Sequence, residues 1–409
     1  MRRMKNSGIE WIGEIPEDWA LIKVGSIFRC RNEKVNDTDY PPLSVTRNGV
    51  VPQMENVAKT DANDNRKLAR VNDFVINSRS DRKQSCGVSD LEGSVSLINT
   101  VLYTDDQDII LPEYTNLVMK NYGFAEEFYR WGHGIVADLW TTRWQEMKSI
   151  VLPLPSTQRQ KKIISFVQKK VSAIDALITH EEMAIEKLKE YRQSVITEAV
   201  TKGLDKSASM KDSGVEWIGK IPETWSIEKI KFNTTNRIEK DSGEQYQYIA
   251  LENIESFTGK YIESENDYGV TEANIARCGD VLFGKLRPYL AKVFVVSQDV
   301  FVSGEFAVFC AQKVCNTYLK WFMLSYGFLD TVNASTYGTK MPRANVDFIK
   351  NCYVPISSIE EQRKIADYLA KKCAGIDNLI SIKQQKIEEL KEYKKSLIYE
   401  YVTGKKEVV

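Results

Sequence analysis

Apolar residues recur along two long stretches of the chain at steps of three, four and seven. One seam runs Ile163, Val167, Ile174, Leu177/Ile178, Ile185, Leu188, Val195/Ile196 and Ala199. The other runs Ile365, Leu369, Ile376, Leu379/Ile380, Ile387, Leu390, Leu397/Ile398 and Tyr401. This spacing predicts two long helices, each with a coiled-coil-like face. Thr157 with Gln160, and Ser358 with Glu361, stand at capping-box spacing at the two helix starts, and Gly203 closes the first helix. A lone amphipathic helix of this length has nothing to bury its seam against. The two are therefore expected to pack together as an antiparallel pair, about an internal pseudo-twofold axis.

Short strand patterns fill the rest. Asp73–Asn77, Ser94–Ile98 and Thr100–Tyr103 read as strands, and Pro112–Trp131 as one helix with Leu117, Val118, Tyr122, Phe124, Phe128 and Trp131 on a buried stripe. Tyr246–Leu251, Asp280–Phe283, Lys292–Val296 and Phe306–Phe309 are strand candidates in a second such body. The expected class is α+β: two globular domains joined by two long antiparallel coiled-coil helices. The division is 1–156, 157–203, 204–358 and 359–409.

The pattern is a duplication. Ser7-Gly-Ile-Glu-Trp-Ile-Gly-Glu-Ile-Pro-Glu-Asp-Trp19 returns as Ser213-Gly-Val-Glu-Trp-Ile-Gly-Lys-Ile-Pro-Glu-Thr-Trp225. In the helices Ile163 matches Ile365, Ile174 matches Ile376, Asp175 matches Asp377, Leu188 matches Leu390 and Tyr191 matches Tyr393. The bodies match poorly, apart from local likenesses such as Asn72-Asp-Phe-Val-Ile76 against Gly279-Asp-Val-Leu-Phe283. One repeated scaffold around unlike bodies suits a device that reads two different things with one frame.

Composition narrows the chemistry. Lys plus Arg and Asp plus Glu both number 56, so the net charge is zero. That argues against coating nucleic acid by overall charge and leaves room for a local basic surface. No apolar run approaches the ~20 residues of a membrane span, and the basic start lacks the apolar run of a signal peptide. Seven cysteines without a C-x-x-C fit a reducing, cytoplasmic setting. Catalytic motifs are missing. His133 and His180 are the only histidines, and His180-Glu-Glu lacks the second His of H-E-x-x-H. There is no P-loop, and Asp39-Tyr-Pro-Pro42 scrambles the D-P-P-Y order of amino methyltransferases. No catalytic residue and no metal ligand is expected.

Basic and amide residues cluster inside the bodies. In the first, Arg66, Lys67 and Arg70 precede a strand, and Asn77–Gln84 follows it with Arg79, Arg82, Lys83 and Gln84; Arg47, Asn48 and Arg143 add to these. In the second, Lys285, Arg287 and Tyr289 follow the equivalent strand, and the 336–345 stretch supplies Lys340, Arg343 and Asn345. Arg reads guanine, Asn or Gln reads adenine, and Lys and Tyr anchor phosphates. Charged loops are common on soluble proteins; position after equivalent strands is what gives these weight. Residues 337–345 have only a loose counterpart in 135–143, which gives no ground for equivalent roles there.

Taken together, the duplicated W-I-G-x-I-P-x-x-W, the leads into Q-R-Q-K-K-I and E-E-Q-R-K-I, the I-D-x-L-I segments and the K-E-Y-[RK]-x-S-[VL]-I helices resemble the specificity subunit of type I restriction-modification systems. The likeness covers essentially the whole chain. It implies two target recognition domains, each reading half of a split, asymmetric site in double-stranded DNA. It also implies helices that set the half-site spacing and dock two adenine-methyltransferase (modification) subunits. S-adenosylmethionine, ATP and magnesium then belong to the modification and restriction subunits, and none is bound by this chain, which is non-catalytic. From Val171 to Val200 the helix is about 45 Å long, enough to separate two readers by one DNA turn of ~34 Å. Lys187, Lys189, Lys391 and Lys394 on the outer helix face are candidates for the partner interface. Two alternatives are a single-chain restriction-methyltransferase and a coiled-coil scaffold without a DNA role.

Overall fold

The computed structural model describes residues 2–53, 65–79, 82–106, 108–134, 140–242, 246–263, 269–270, 272–336, 338 and 340–408. The chain divides into two units, Met1–Glu181 with Gln385–Val409, and Glu182–Gln384. Both long helices therefore contribute to each unit.

In the first unit a hairpin of Met4–Asn6 with Glu14–Pro16 leads into β1 (Ala20–Lys23) and β2 (Arg29–Arg31). There follow β3 (Phe74–Asn77), β4 (Cys86–Val88) and β5 (Asn99–Tyr103). Next come α1 (Pro112–Lys120), α2 (Tyr122–Arg130), α3 (Trp144–Met147), β6 (Val151–Leu154) and the 46-residue α4 (Thr157–Lys202). An antiparallel sheet has the order β4-β3-β5-β2. Both faces are covered: Phe74, Ile76 and Leu102 enter the main core, while Val75 and Val101 enter a smaller one with Leu43, Ala69 and Val95. That explains the unbroken apolar run of β3. β1 pairs with β6, so the body is strapped shut just before α4 begins.

The second unit repeats the plan. β7 (Ser226–Lys229), β8 (Thr234–Asn236), β9 (Val281–Gly284), β10 (Val293–Val295) and β11 (Phe306–Ala311) precede α5 (Asn316–Met323) and α6 (Tyr326–Ala334). α7 (Val346–Asn351), β12 (Tyr353–Ile356) and the 44-residue α8 (Ile359–Val402) complete it. Its sheet order, β10-β9-β11-β8, matches the first, and β7 pairs with β12 as the strap.

Within each unit the long helices run antiparallel. In the first, contacts pass from Phe166–Tyr401 through Asp175–Lys394 to Glu181–Lys386; in the second, Arg192 meets Asp377. Ile163, Ile174, Ile365 and Ile376 are buried, and Leu188 and Leu390 are half-buried. Leu177 and Leu379 leave the expected seam and stand exposed at 48% and 49%; half-buried Ile178 and Ile380 take the inward positions.

Three local expectations change. Residues 112–131 form two helices, because Asn121 turns extended and its side-chain oxygen accepts from Phe124 N–H at 3.1 Å, capping α2. Tyr122 and Trp131 consequently face outward. Gln160 does not close a capping box. It is fully buried, accepts from Leu111 N–H (2.9 Å) and donates to the carbonyls of Ile109 and Pro155. Gln362 does the same with Cys315 N–H (2.7 Å) and the Ser357 carbonyl (2.8 Å). The repeated Gln thus pins the start of each long helix to its own body. Ser358 does cap Glu361 N–H at 3.3 Å, but the Glu361 carboxylate is taken by the Trp225 indole N–H at 3.0 Å.

The tryptophans of the leading motif have a shared partner. Tyr122-Gly-Phe124 and Tyr326-Gly-Phe328 are a further repeat, and in each the glycine lies under a tryptophan, Trp11 on Gly123 and Trp217 on Gly327. A Cβ on Gly123 would lie 3.0 Å from the Trp11 ring, and one on Gly327 only 2.1 Å from that of Trp217. Buried Tyr114 and Tyr318 tie the same corner, each sharing its one hydroxyl proton between a carbonyl of the strap (Pro153, Pro355) and one near the end of a long helix (Val402, Val200). Burial pushes both phenols well above the ordinary tyrosine range.

Candidate nucleic-acid interface

The likeness around Asp73 and Asp280 proves to be a shared turn. Asn72 (φ 71°) and Gly279 (φ 90°) take left-handed conformations just before the acids. Asp73 accepts from Arg70 N–H at 2.9 Å and from Arg31 at 2.8 and 3.1 Å. Asp280 accepts from Arg277 N–H at 2.9 Å and from Arg237 at 2.6 and 3.4 Å. Both acids are buried. Such an Arg–carboxylate fork fixes the direction in which β3 and β9 leave the turn.

Those strands deliver the loops that carry most of the candidate side chains. In the first unit the Ser78 carbonyl accepts from Thr142 N–H (3.0 Å), and Arg79 bridges to Thr141. In the second the Lys285 carbonyl accepts from Ala344 N–H (2.9 Å), and Leu286 bridges to Arg343. The backbone thus brings Arg343 and Ala344 to the place that Thr141 and Thr142 hold in the first unit, a closer correspondence than the side chains suggest. Residues 80, 81, 135–139, 337 and 339 of these stretches lie outside the described residues.

The side chains differ in what they can offer. Arg79, Arg82, Lys83 and Gln84 gather around one small pocket with Tyr129 and Trp140. Arg79 and Arg82 are exposed; Lys83 is 3.1 Å from Glu126 and 4.2 Å over the Tyr129 ring. Arg47 and Asn48, at the tip of a Leu43–Thr46/Gly49–Pro52 hairpin, share a neighbouring 850 Å³ groove with Gln84. Arg143 is exposed at the start of α3. In the second unit Arg287 (φ 50°) is exposed, with its N–H held by the Pro342 carbonyl at 2.8 Å. Tyr289 and Lys340 are exposed and Lys285 is half-buried. Arg343 is 2.5 Å from Glu305. The Asn345 side-chain oxygen caps α7, accepting from Asp347 and Phe348 N–H.

Arg66 and Lys67 turn inward. The Arg66 guanidinium donates to Ser94 (2.8 and 2.9 Å) and Lys67 to the Asn99 carbonyl (2.7 Å). Burial pulls both below their ordinary pKa ranges. Arg70 pairs loosely with Glu33 at 3.6 Å. No group of three or more His, Cys, Asp or Glu among the described residues is placed to hold a metal ion, and no described helix is long and apolar enough to cross a membrane.

Residues 221–392 match the family described as "Type I restriction modification DNA specificity domain". The MjaVIII type I restriction enzyme specificity subunit of Methanocaldococcus jannaschii is 25% identical over 63% of this chain, which spans 62% of that relative's length. The EcoDI specificity subunit of Escherichia coli is 20% identical over 90% of this chain and 84% of its own. A solved chain from work on complex assembly and conformational transition of the type I R-M system shares the fold. Its TM-score is 0.72 at 13% identity, covering 95% of this chain and 98% of that one. Over residues 221–392 the chain is similar to that DNA specificity domain, and over 90% of its length to a type I specificity subunit.

Proposed function

We propose that this chain is the DNA-reading subunit of a type I restriction-modification complex. Each body reads one half of a bipartite, asymmetric duplex site. The long helices set the half-site spacing and dock two methyltransferase subunits, with restriction subunits joining the same assembly in the cytoplasm. The chain adds no catalytic group; methyl donor, ATP and magnesium belong to its partners. One observation carries this reading. The loops after β3 and β9 are stitched at matching backbone positions to the segments ahead of α3 and α7, yet they present different side chains. A fixed frame with exchanged side chains reads different bases at the same geometry.

The test is to map methylated adenines in DNA from cells that express this chain with its methyltransferase partner. Arg79→Ala should relax one half-site and Arg287→Ala the other, each by about 1–3 kcal/mol. One helical turn inserted after Leu188 should change the spacing and leave both half-sites intact. Duplex binding that is neither sequence-selective nor weakened by salt would sink the reading.

A further inference from the structure

The two units differ where the leading motif meets the long helices. In the first unit Tyr399 packs against Gly123 and its hydroxyl donates to the Trp11 carbonyl at 2.8 Å. Lys405, with its ammonium 5.1 Å from the centre of that phenol ring, donates to the Ile12 carbonyl at 2.8 Å. A phenol and an ammonium together satisfy two carbonyls of the turn.

In the second unit both are missing. The helix repeat puts Thr197 where Tyr399 stands, as Ser194 matches Ser396 and Thr201 matches Thr403. Gly203 closes α4 as Gly404 closes α8, and Leu204 follows where Lys405 stands. The turn itself is unchanged: Ile218 and Gly219 N–H bond to the Val215 carbonyl as Ile12 and Gly13 bond to that of Ile9. Among the described residues no hydrogen bond reaches the Trp217 or Ile218 carbonyl. The buried Oγ1 of Thr197 and Oε1 of Gln193, on the adjoining helix face, are without partners as well. All four residues line one open cleft of 1670 Å³, with Phe257 and Tyr326 exposed at its wall. The Thr197 and Gln193 side-chain oxygens are buried without partners, which is costly, and Trp217 and Ile218 line the same cleft, where a ligand can bring donors.

We infer that this cleft is a docking site for a partner protein's segment bearing a tyrosine beside a basic residue. That segment supplies in trans what Tyr399 and Lys405 supply in cis to the first unit. Its phenol ring fills the volume left by Thr197, its hydroxyl donates to the Trp217 carbonyl, and its cation donates to the Ile218 carbonyl. The two units therefore offer a partner unlike anchoring surfaces, one already filled and one open. The inference is independent of the DNA reading.

The probe is tyramine, which joins a phenol to an ammonium. The full chain is labelled with 5-fluorotryptophan, and the Trp11 and Trp217 signals are assigned by Trp11→Phe and Trp217→Phe. Millimolar tyramine should shift the Trp217 signal and leave that of Trp11 in place. Phenethylamine, without the hydroxyl, and p-cresol, without the ammonium, should shift it less. Thr197→Tyr should abolish the response, and Tyr399→Thr should make Trp11 respond. A tyramine titration that moves neither signal, or that moves Trp217 equally in Thr197→Tyr, overturns the inference. Should Tyr399→Thr fail to fold, the Thr197→Tyr comparison alone decides.

Discussion

Asp175 on the first long helix accepts two hydrogen bonds from Lys394 on the second, at 2.7 and 2.8 Å. The partners exchange in the other unit, where Asp377 of the second helix lies 3.1 Å from Arg192 of the first. The Asp of each I-D-x-L-I segment thus meets the last base of the other copy's K-E-Y-[RK]. These pairs fix the register that the apolar seam alone leaves free to slip by a turn.

The pairs differ in burial, so their removal should differ in cost. Asp175 and Lys394 are 51% and 31% exposed, whereas Asp377 and Arg192 are 14% and 5% exposed. Asp377→Ala leaves a buried guanidinium with only the Phe257 carbonyl (2.8 Å), takes the partner of Lys260 (2.9 Å) as well, and should cost about 3 kcal/mol or more. Asp175→Ala should cost about 1 kcal/mol or less. Urea denaturation of the two variants tests the ranking; equal losses would contradict it.

The glycines beneath the two leading tryptophans should differ in how they take a side chain. Gly327→Ala drives a methyl into the Trp217 ring and should destabilise by about 1–3 kcal/mol. Gly123→Ala should cost less, because its 3.0 Å contacts need only small shifts and alanine returns up to about 1 kcal/mol of helix propensity. Melting temperatures of both variants decide it.

Asn345 should behave as a helix cap. Its side-chain oxygen is held by Asp347 and Phe348 N–H, which removes the acceptor half of a bidentate adenine contact. Asn345→Ala should lose about 1 kcal/mol of stability, and Asn345→Asp almost none. The methylated half-site should be unchanged in both, in contrast to Arg287→Ala. A changed half-site in Asn345→Asp would return the residue to base readout.

Acid stability should depend on Arg277. Its bonds to Asp299 (2.9 Å) and Glu239 (2.7 Å) hold these carboxyls below their ordinary values of 3.8 and 4.5. Their contribution is complete above those values and fades as pH falls through the lowered ones. Arg277→Gln should therefore melt earlier at neutral pH, and the gap from the native chain should close on acidification. Parallel melting curves across the acid range would refute this.

Much of the frame is legible in the sequence because it repeats. The seams at Ile163 and Ile365, the strands at Phe74 and Val281 and the lead-in tryptophans all announce themselves by period or duplication. What stays hidden depends on contacts between distant segments. Gln160 and Gln362 look like capping residues until Leu111 and Cys315 are brought beside them. Arg66 and Lys67 look like surface charge until Ser94 and Asn99 supply inward acceptors. The Tyr-Gly-Phe repeat carries a signal that a search for duplicated tripeptides near the helix at 112–131 would have caught. Loop side chains such as Arg79 and Arg287 follow no period, so the sequence suggests their identity as readers without fixing their direction.

The first unit's core includes Leu397 and Val402, and its Tyr114 hydroxyl bonds to the Val402 carbonyl. Those residues leave the ribosome only after the whole of the second unit, Glu182–Gln384, has been made. Domains generally fold in order of synthesis, but here the body of the first unit waits for a stretch made after the second unit. A chain interrupted within the second unit therefore releases a first unit without its closing helix.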